Sequence, residues 1–364
     1  MRCIGLMSGT SMDAVDAALC HVDDNRIVAI EATLSSPYPE PVRSQLLALQ
    51  RSPDAVVTIR DIARLDIAVA RCFGDTVDAL LRAAAISADT VAAIGSHGQT
   101  VFHDASETGN TIQLGNPSWI AVRSGIPVVA DFRRADMALA GQGAPLVPAF
   151  HQSIAGQSRP CMVLNIGGIA NVTVVGDDTT GFDTGPGNAL MDEWIHLHRG
   201  EPFDRDGAWA ATGTLDEELL SACLGDAYFS APPPKSTGRD YFNLGWLRRR
   251  YPGIERLPAD TVQRTLCELT ARSITDPLAT AATEPRRMYV CGGGARNHFL
   301  LERIRALAPQ LEVTTTDAVG IAPEWVEAAA FAWLAWQRVN GRPGNLPSVT
   351  GASRPAVLGA LYHP

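Results

Sequence analysis

The sequence lacks the short signatures that usually announce nucleotide or metal chemistry. No GxxxxGK[ST], GxGxxG or HExxH occurs in its 364 residues, so a lysine-bearing phosphate loop, a dinucleotide fingerprint and a zinc-protease helix all fall away. Seven cysteines (Cys3, Cys20, Cys72, Cys161, Cys223, Cys267, Cys291) include no CxxC pair and no spacing suited to structural zinc. Most lie inside apolar strings and read as reduced, buried thiols. Charge is sparse, at 19% of residues, and 39 acidic against 30 basic side chains leave a net charge of -9. That balance excludes a general nucleic-acid or anionic-membrane binder. Long apolar runs are missing as well. The longest helical one, residues 328–336, falls well short of the roughly 20 residues a bilayer crossing needs. Asp13 and Asp16 interrupt the stretch that a secretory signal would keep apolar. The expected location is the cytoplasm.

Apolar residues are plentiful, at 46%, so a sizeable core can form and disorder along the chain is excluded. The length argues for two domains or one large one, and against a single short binding module. Residues 1–35 read as two or three short strands, CIGLMS, AVDAALCHV and RIVAIEATL, the first two joined by a glycine-bearing turn. Helical spacing of apolar residues runs from 54 to 85. Short strands (VAAIGSH, TIQLG, IPVVAD) then alternate with helical segments, one opening near Pro117, which is an α/β pattern. CMVLNIGG and IANVTVVG restart the strand–glycine–strand theme, with Gly168 a little under half the chain beyond Gly9. A duplicated architecture is the expectation. Residues 229–253, rich in proline, glycine and aromatics, predict an ordered surface loop with a short helix. Helices are expected over 258–282, over 297–307 and from Pro323 onward, with the strand RMYVCGG among them and a loop-like tail from Arg342.

Four glycine-rich turns carry the chemical interest: SGTSMD (8–13), NIGGIAN (165–171), DTGPGN (183–188) and CGGGARN (291–297). Successive turn amides can cradle phosphate without any lysine, and glycine lets a backbone approach a ligand closely. Asp183, at an expected strand end before Thr184 and two glycines, suits a general base; it equally suits a turn or helix-capping role. Asp13 and Asp16 could hold magnesium through water or simply be solvated. Arg133 and Arg134, after IPVVAD, could fork onto a carboxylate. Glu327 opens an apolar helix, where it faces a ligand or the helix dipole. His97 and Gln99, in GSHGQT, also end a strand.

Taken together, IGLMSGTSMDAVDAAL, GSHGQTVFH, TIQLGNPSWIA, VVADFRRADMALAGQGAPLVPAFH, VLNIGGIANVT, GFDTGPGNALMD, CGGGARN and EAAAFAWLA resemble, in order and over nearly the whole chain, the anhydro-N-acetylmuramic acid kinase family of the actin, sugar kinase and heat-shock ATPase superfamily. The resemblance implies an α/β, two-lobed actin-like ATPase fold built from duplicated ribonuclease H-like domains with a nucleotide cleft between them. It implies one lobe of residues 1–131 plus about 341–364, and another of 132–340. ATP would be held by Gly9, Thr10, Ser11, Met12, Asp13, Ala14, Val15 and Asp16, by Gly167, Gly168 and Asn171, and by Gly292, Gly293, Gly294 and Asn297. Mg2+ would accompany it, with Asp13 contributing through water. Asp183 would be the catalytic base, while Arg133, Arg134, Glu327, His97, Gln99 and Asn188 would contact the sugar. A homodimer is implied, with no nucleic-acid or membrane partner. Rival readings are a kinase for another anhydrosugar such as levoglucosan, or an actin-like or chaperone-like ATPase. One departure is visible: the family's first loop usually reads GTSMDG, and Ala14 stands where the last glycine is expected. If that position needs a positive φ, alanine costs about 1 kcal/mol.

Overall fold

The computed structural model describes residues 1–9, 11–51, 56–155, 159–233, 235–239, 241–279 and 286–364. It divides into two units, Met1–Ile154 with Trp325–Pro364, and Ala155–Glu324. These limits differ from the expected 131/132 and 340/341 boundaries, because residues 132–154 and 325–340 join the first unit. The physical cause is a close helix–sheet contact. A β-carbon at Gly5 would overlap the Ala328 carbonyl, and one at Gly95 would overlap the Phe331 carbonyl. The two glycines sit side by side on neighbouring strands, so the backbone of the helix Val326–Val339 lies directly on the first sheet.

That sheet is built on β1 (Arg2–Met7), β2 (Ala14–Asp23) and β3 (Arg26–Pro37), an antiparallel meander. β4 (Val91–Ser96) runs parallel beside β1, and β5 (Gln99–Asp104) and β6 (Asn110–Leu114) form a separate hairpin. β7 (Val128–Ala130) lies parallel beside β4. Side chains on β1 alternate between two covered faces. Ile4 and Leu6 belong to a core with Leu65, Val69, Phe73 and Val77 of the helix Ile59–Ala84, while Gly5 meets the helix Val326–Val339. The helix Ile59–Ala84 starts later than its apolar spacing suggests. Thr58 caps it, its hydroxyl accepting from the Asp61 amide, and residues 52–55 lie outside the described residues.

In the second unit β8 (Cys161–Ile166), β9 (Ile169–Val175) and β10 (Thr180–Pro186) repeat the meander. β11 (Arg287–Cys291) is parallel to β8, and β12 (Glu312–Thr315) to β11. The sheet order β3-β2-β1-β4-β7 of the first unit thus matches β10-β9-β8-β11-β12 of the second. The duplication expected from two glycine turns is present as topology. β13 (Ala360–Tyr362) adds an antiparallel edge to β7 in the first unit. The second core gathers Trp194, Trp246, Phe242, Leu266, Ile274 and Leu301. Its helix Ala259–Ala279 covers most of the expected 258–282 span, of which 280–282 lie outside the described residues. The described part of residues 229–253 contains the short helix Leu244–Arg250. Among the described residues no helix is long and apolar enough to cross a membrane.

Candidate active site

In the first unit the turn after β1 is shaped by Met12 rather than by glycine. Its φ is 53°, in the left-handed region, and its side chain is fully buried in the core. Burying an unbranched apolar chain offsets the backbone cost there. The Met12 amide donates to the Gly9 carbonyl, and the Ser8 hydroxyl donates to the Ala14 carbonyl at 2.8 Å. Thr10 lies outside the described residues. Ala14 does not take a positive φ; it opens β2, paired opposite Pro37. Its departure from the family pattern therefore carries no strain. Val15 is buried in the sheet, so only its backbone could face a ligand. Asp13 is ion-paired with Arg43 at 2.8 Å, and its negative charge is thereby answered. Among the described residues no cluster of three or more His, Cys, Asp or Glu side chains could hold a metal.

Four of the expected polar residues come together at the ends of β2, β4, β7 and the helix Val326–Val339. His97 follows β4 and is 5% exposed. Its Nε2 accepts from Arg133 Nη2 at 2.7 Å and Nε at 3.2 Å, and its ring lies 4.8 Å from that of Phe331. Burial and the adjacent guanidinium hold the imidazole well below its usual pKa, so it is neutral. Arg133 Nη1 donates to the Gly143 carbonyl at 2.8 Å. Burial lowers this guanidinium to about 10, while Glu327 and Asp136 favour its charge. Glu327, in the first turn of its helix, is raised by burial and by Asp16, with Arg133 opposing. A half-buried cation and three carboxylates, Glu327, Asp16 and Asp136, thus share one corner, a set that can grip a polar ligand. Arg134 goes elsewhere: Nε donates to the Thr111 carbonyl, Nη1 reaches Asp131 at 3.5 Å, and the side chain is 55% exposed. Gln99 is drawn to the first turn, its Nε2 donating to the Gly9 carbonyl at 3.4 Å while Oε1 accepts from Tyr38.

In the second unit the Gly167–Gly168 turn is tied to DTGPGN. The Gly168 carbonyl accepts from the Gly187 and Ala189 amides, and the Gly167 carbonyl from Asn188. Asn188 also donates Nδ2 to the Ile166 carbonyl, so its side chain braces the turn. Gly292, at φ 78°, packs against Ile166 and Asn165, which brings CGGGARN to the same sheet end. The Asn297 side chain is engaged within its own unit. Its Oδ1 accepts from the Leu300 amide and caps the helix His298–Leu307.

Asp183 lies on β10 opposite Asn171, beside a register shift between Asp183 and Gly185. Such a bulge re-aims the side chain. Its amide donates to the Lys235 carbonyl, its carbonyl accepts from Tyr228 Oη at 2.7 Å, and its Oδ2 accepts from the Thr237 amide at 3.0 Å. No ion pair reaches the carboxylate among the described residues. Burial pushes it up to about 6, against the opposing pull of the Thr237 amide. A carboxylate with one oxygen held and a pKa near neutrality can accept a proton.

A model of the anhydro-N-acetylmuramic acid kinase family matches residues 1–364. The chain belongs to this family. An anhydro-N-acetylmuramic acid kinase of Coxiella burnetii (strain Dugway 5J108-111) is 48% identical over 367 residues, which cover 99% of this chain and 97% of that one. Among solved structures, the activator of the 2-hydroxyisocaproyl-CoA dehydratase from Clostridium difficile with bound ADPNP has a TM-score of 0.50 at 11% identity, over 93% of this chain and 96% of that one. Component A of the Acidaminococcus fermentans (R)-2-hydroxyglutaryl-CoA dehydratase gives 0.50 and 11%, over 93% and 99%. At that identity the likeness speaks for the fold alone, the actin-like ATPase fold. This anhydro-N-acetylmuramic acid kinase family member is a sugar kinase that uses ATP.

The brace around Asp183 in this family member was not among the residues singled out from sequence. Lys235, the one lysine of the chain, donates Nζ to the Tyr228 and Phe229 carbonyls and lies 4.7 Å from the Tyr228 ring centre. A lone lysine among so many arginines, inside KSTGRD, was the signal available. The buried Asp136 is a second omission. It accepts from the Gly143 amide, Asn345 Nδ2 and the Thr350 hydroxyl, and so fixes the carbonyl on which Arg133 rests.

Proposed function

We propose that this enzyme opens the 1,6-anhydro ring of 1,6-anhydro-N-acetylmuramic acid with water and phosphorylates O6, forming N-acetylmuramic acid 6-phosphate and ADP in the recycling of cell-wall sugar. The observation that carries this reading is Asp183, a half-buried carboxylate raised to about 6 and steered by the Thr237 amide. The anhydro bridge leaves no free 6-hydroxyl, so the base must act on water. Asp183 takes one proton from a water whose oxygen bonds to the anomeric carbon. The bond from that carbon to the bridging oxygen breaks, and the freed O6 bonds to the γ-phosphorus as the bond to the ADP oxygen breaks. The remaining water proton stays on the new anomeric hydroxyl.

Arg133, rigidly held by His97 and Gly143, supplies the cation for the substrate's lactyl carboxylate, while Glu327 accepts from a sugar hydroxyl. Arg134 is engaged with Thr111 and Asp131 instead. The glycine turns at Gly9 and at Gly167–Gly168 offer amides to the phosphates of MgATP, which enters as substrate, and the Gly292–Gly294 turn meets its adenosine. Turnover in water enriched in oxygen-18 tests this chemistry. The expected product carries the label in the sugar and none in the phosphoryl group. Label found in inorganic phosphate, with the sugar unchanged, would mean plain ATP hydrolysis.

A further inference from the structure

The guanidinium of Arg239 lies close against Gly168. A β-carbon at Gly168 would stand 2.5 Å from Arg239 Nε, 2.9 Å from Nη2 and 3.1 Å from Cζ, so any larger residue would displace this side chain. Arg239 Nε is buried with no hydrogen-bond partner, and the guanidinium makes no ion pair or hydrogen bond among the described residues. Other buried or half-buried arginines of the second unit are answered. Arg264 and Arg303 pair with Glu268, and Arg250 donates to the Ala222 carbonyl. Arg239 is half-buried, and its inner Nε, shut off from water without an acceptor, is left for a ligand oxygen to satisfy.

The surroundings define that anion. The carbonyls of Gly167 and Gly168 are occupied by the amides of 187–189. No backbone hydrogen bond consumes the Gly167 and Gly168 amides among the described residues, and a β-carbon at Gly167 would meet nothing closer than the Ile169 carbonyl at 3.5 Å. Open turn amides beside a planar five-donor cation suit a tetrahedral oxyanion with several free oxygens. The position is also tied to the expected catalytic base. The short segment that carries Arg239 also carries the Lys235 carbonyl and the Thr237 amide, both bonded to Asp183. One stretch of chain therefore sets the base and lays a cation on the phosphate turn.

We propose that Arg239 contacts the γ-phosphoryl group of the bound nucleoside triphosphate and stabilises the charge that develops on it during transfer. The assignment rests on the kinase reading above, and adds a residue to it. Calorimetric titration of ADP and of a non-hydrolysable ATP analogue into the wild type, Arg239→Ala and Arg239→Lys tests it. Because a charged contact to one phosphate is lost, Arg239→Ala should bind the analogue about tenfold more weakly and ADP nearly as the wild type, with Arg239→Lys in between. Its kcat should fall about 100-fold and recover in part with added guanidinium ion. If Arg239→Ala does not fold, Arg239→Lys and Arg239→Gln carry the same comparison. Unchanged binding of both nucleotides, or equal weakening of both, would overturn the assignment. Selective loss of the analogue without any phosphorylated sugar from the wild type would uphold Arg239 and remove the substrate reading. A wild type that binds neither nucleotide would remove both.

Discussion

The two units share one strand order but equip their glycine turns differently. In the first, the turn after β1 holds its shape through Met12, whose buried side chain offsets a left-handed backbone, and its exposed Asp13 is spent on Arg43. In the second, the Gly167–Gly168 turn has no side chain of its own and lies under Arg239. The acidic groups differ in the same way. Glu327 has a cation and another carboxylate as neighbours, whereas burial alone raises Asp183. The fold thus supplies equivalent sheet ends, and later segments decide their chemistry: the helix Val326–Val339 in one unit, residues 229–253 in the other.

The largest expected effect separates the two carboxylates. Asp183→Asn should lower kcat by about 10²–10⁴-fold, the usual scale for a general base, while ATP affinity stays nearly unchanged. Glu327→Gln, which removes a binding contact rather than the base, should act more on KM for the sugar. Near wild-type turnover in Asp183→Asn would collapse the distinction. Next comes the helix contact peculiar to the first unit. Gly5→Val must push the helix Val326–Val339 off β1 and should cost about 3 kcal/mol or more in a denaturant melt. A loss below 1 kcal/mol would mean that the helix docks more loosely than its carbonyl contacts imply.

The raised Asp183 gives a pH test with two signs. Its working form is deprotonated, so kcat/KM should fall as pH drops through about 6. Stability runs the other way. The folded pKa lies above the unfolded 3.8, so the folded state binds the proton more tightly, and ionisation costs stability as pH rises from about 4 to about 6. Asp183→Asn should therefore melt higher than the wild type at pH 7.5, with the gap closing near pH 4. A variant that melts lower at pH 7.5 would contradict the desolvated carboxylate. Smaller still, Asn297→Ala should cost about 1 kcal/mol through the lost helix cap, leaving ADP affinity unchanged. Smallest is Ala14→Gly. Because Ala14 is extended at the start of β2, glycine should weaken the fold by about 0.5 kcal/mol rather than relieve strain; a gain in stability would show that the position is strained after all.

Much of this was legible in the sequence. The three opening strands, the 161–175 hairpin and the paired turns follow from alternation and glycine, and the strand order repeats accordingly. Strand β13 escaped because it is only three residues long, and β5 because it follows directly on the turn after β4, whereas the amphipathic spacing of the helix Glu40–Arg51 was legible and was passed over. Boundaries failed where a long-range contact decides them: nothing local to Gly5 or Gly95 reveals that a helix some 230 or more residues later rests on them. For the site, residue type pointed to Asp183, Arg133, His97 and Glu327. It could not separate Arg133 from Arg134, since neighbours in sequence diverge in space, nor show that Asn297 caps a helix, since only the folded geometry reveals its bond from the Leu300 amide. Arg239 and Lys235 depend on a loop whose path no periodicity predicts.

The most direct measurement is release of ADP from MgATP with and without 1,6-anhydro-N-acetylmuramic acid, with the sugar product weighed by mass spectrometry. The account predicts sugar-dependent ADP release and a product heavier than the substrate by one water and one phosphoryl group. ADP release that ignores the sugar, or a product heavier by the phosphoryl group alone, would contradict it.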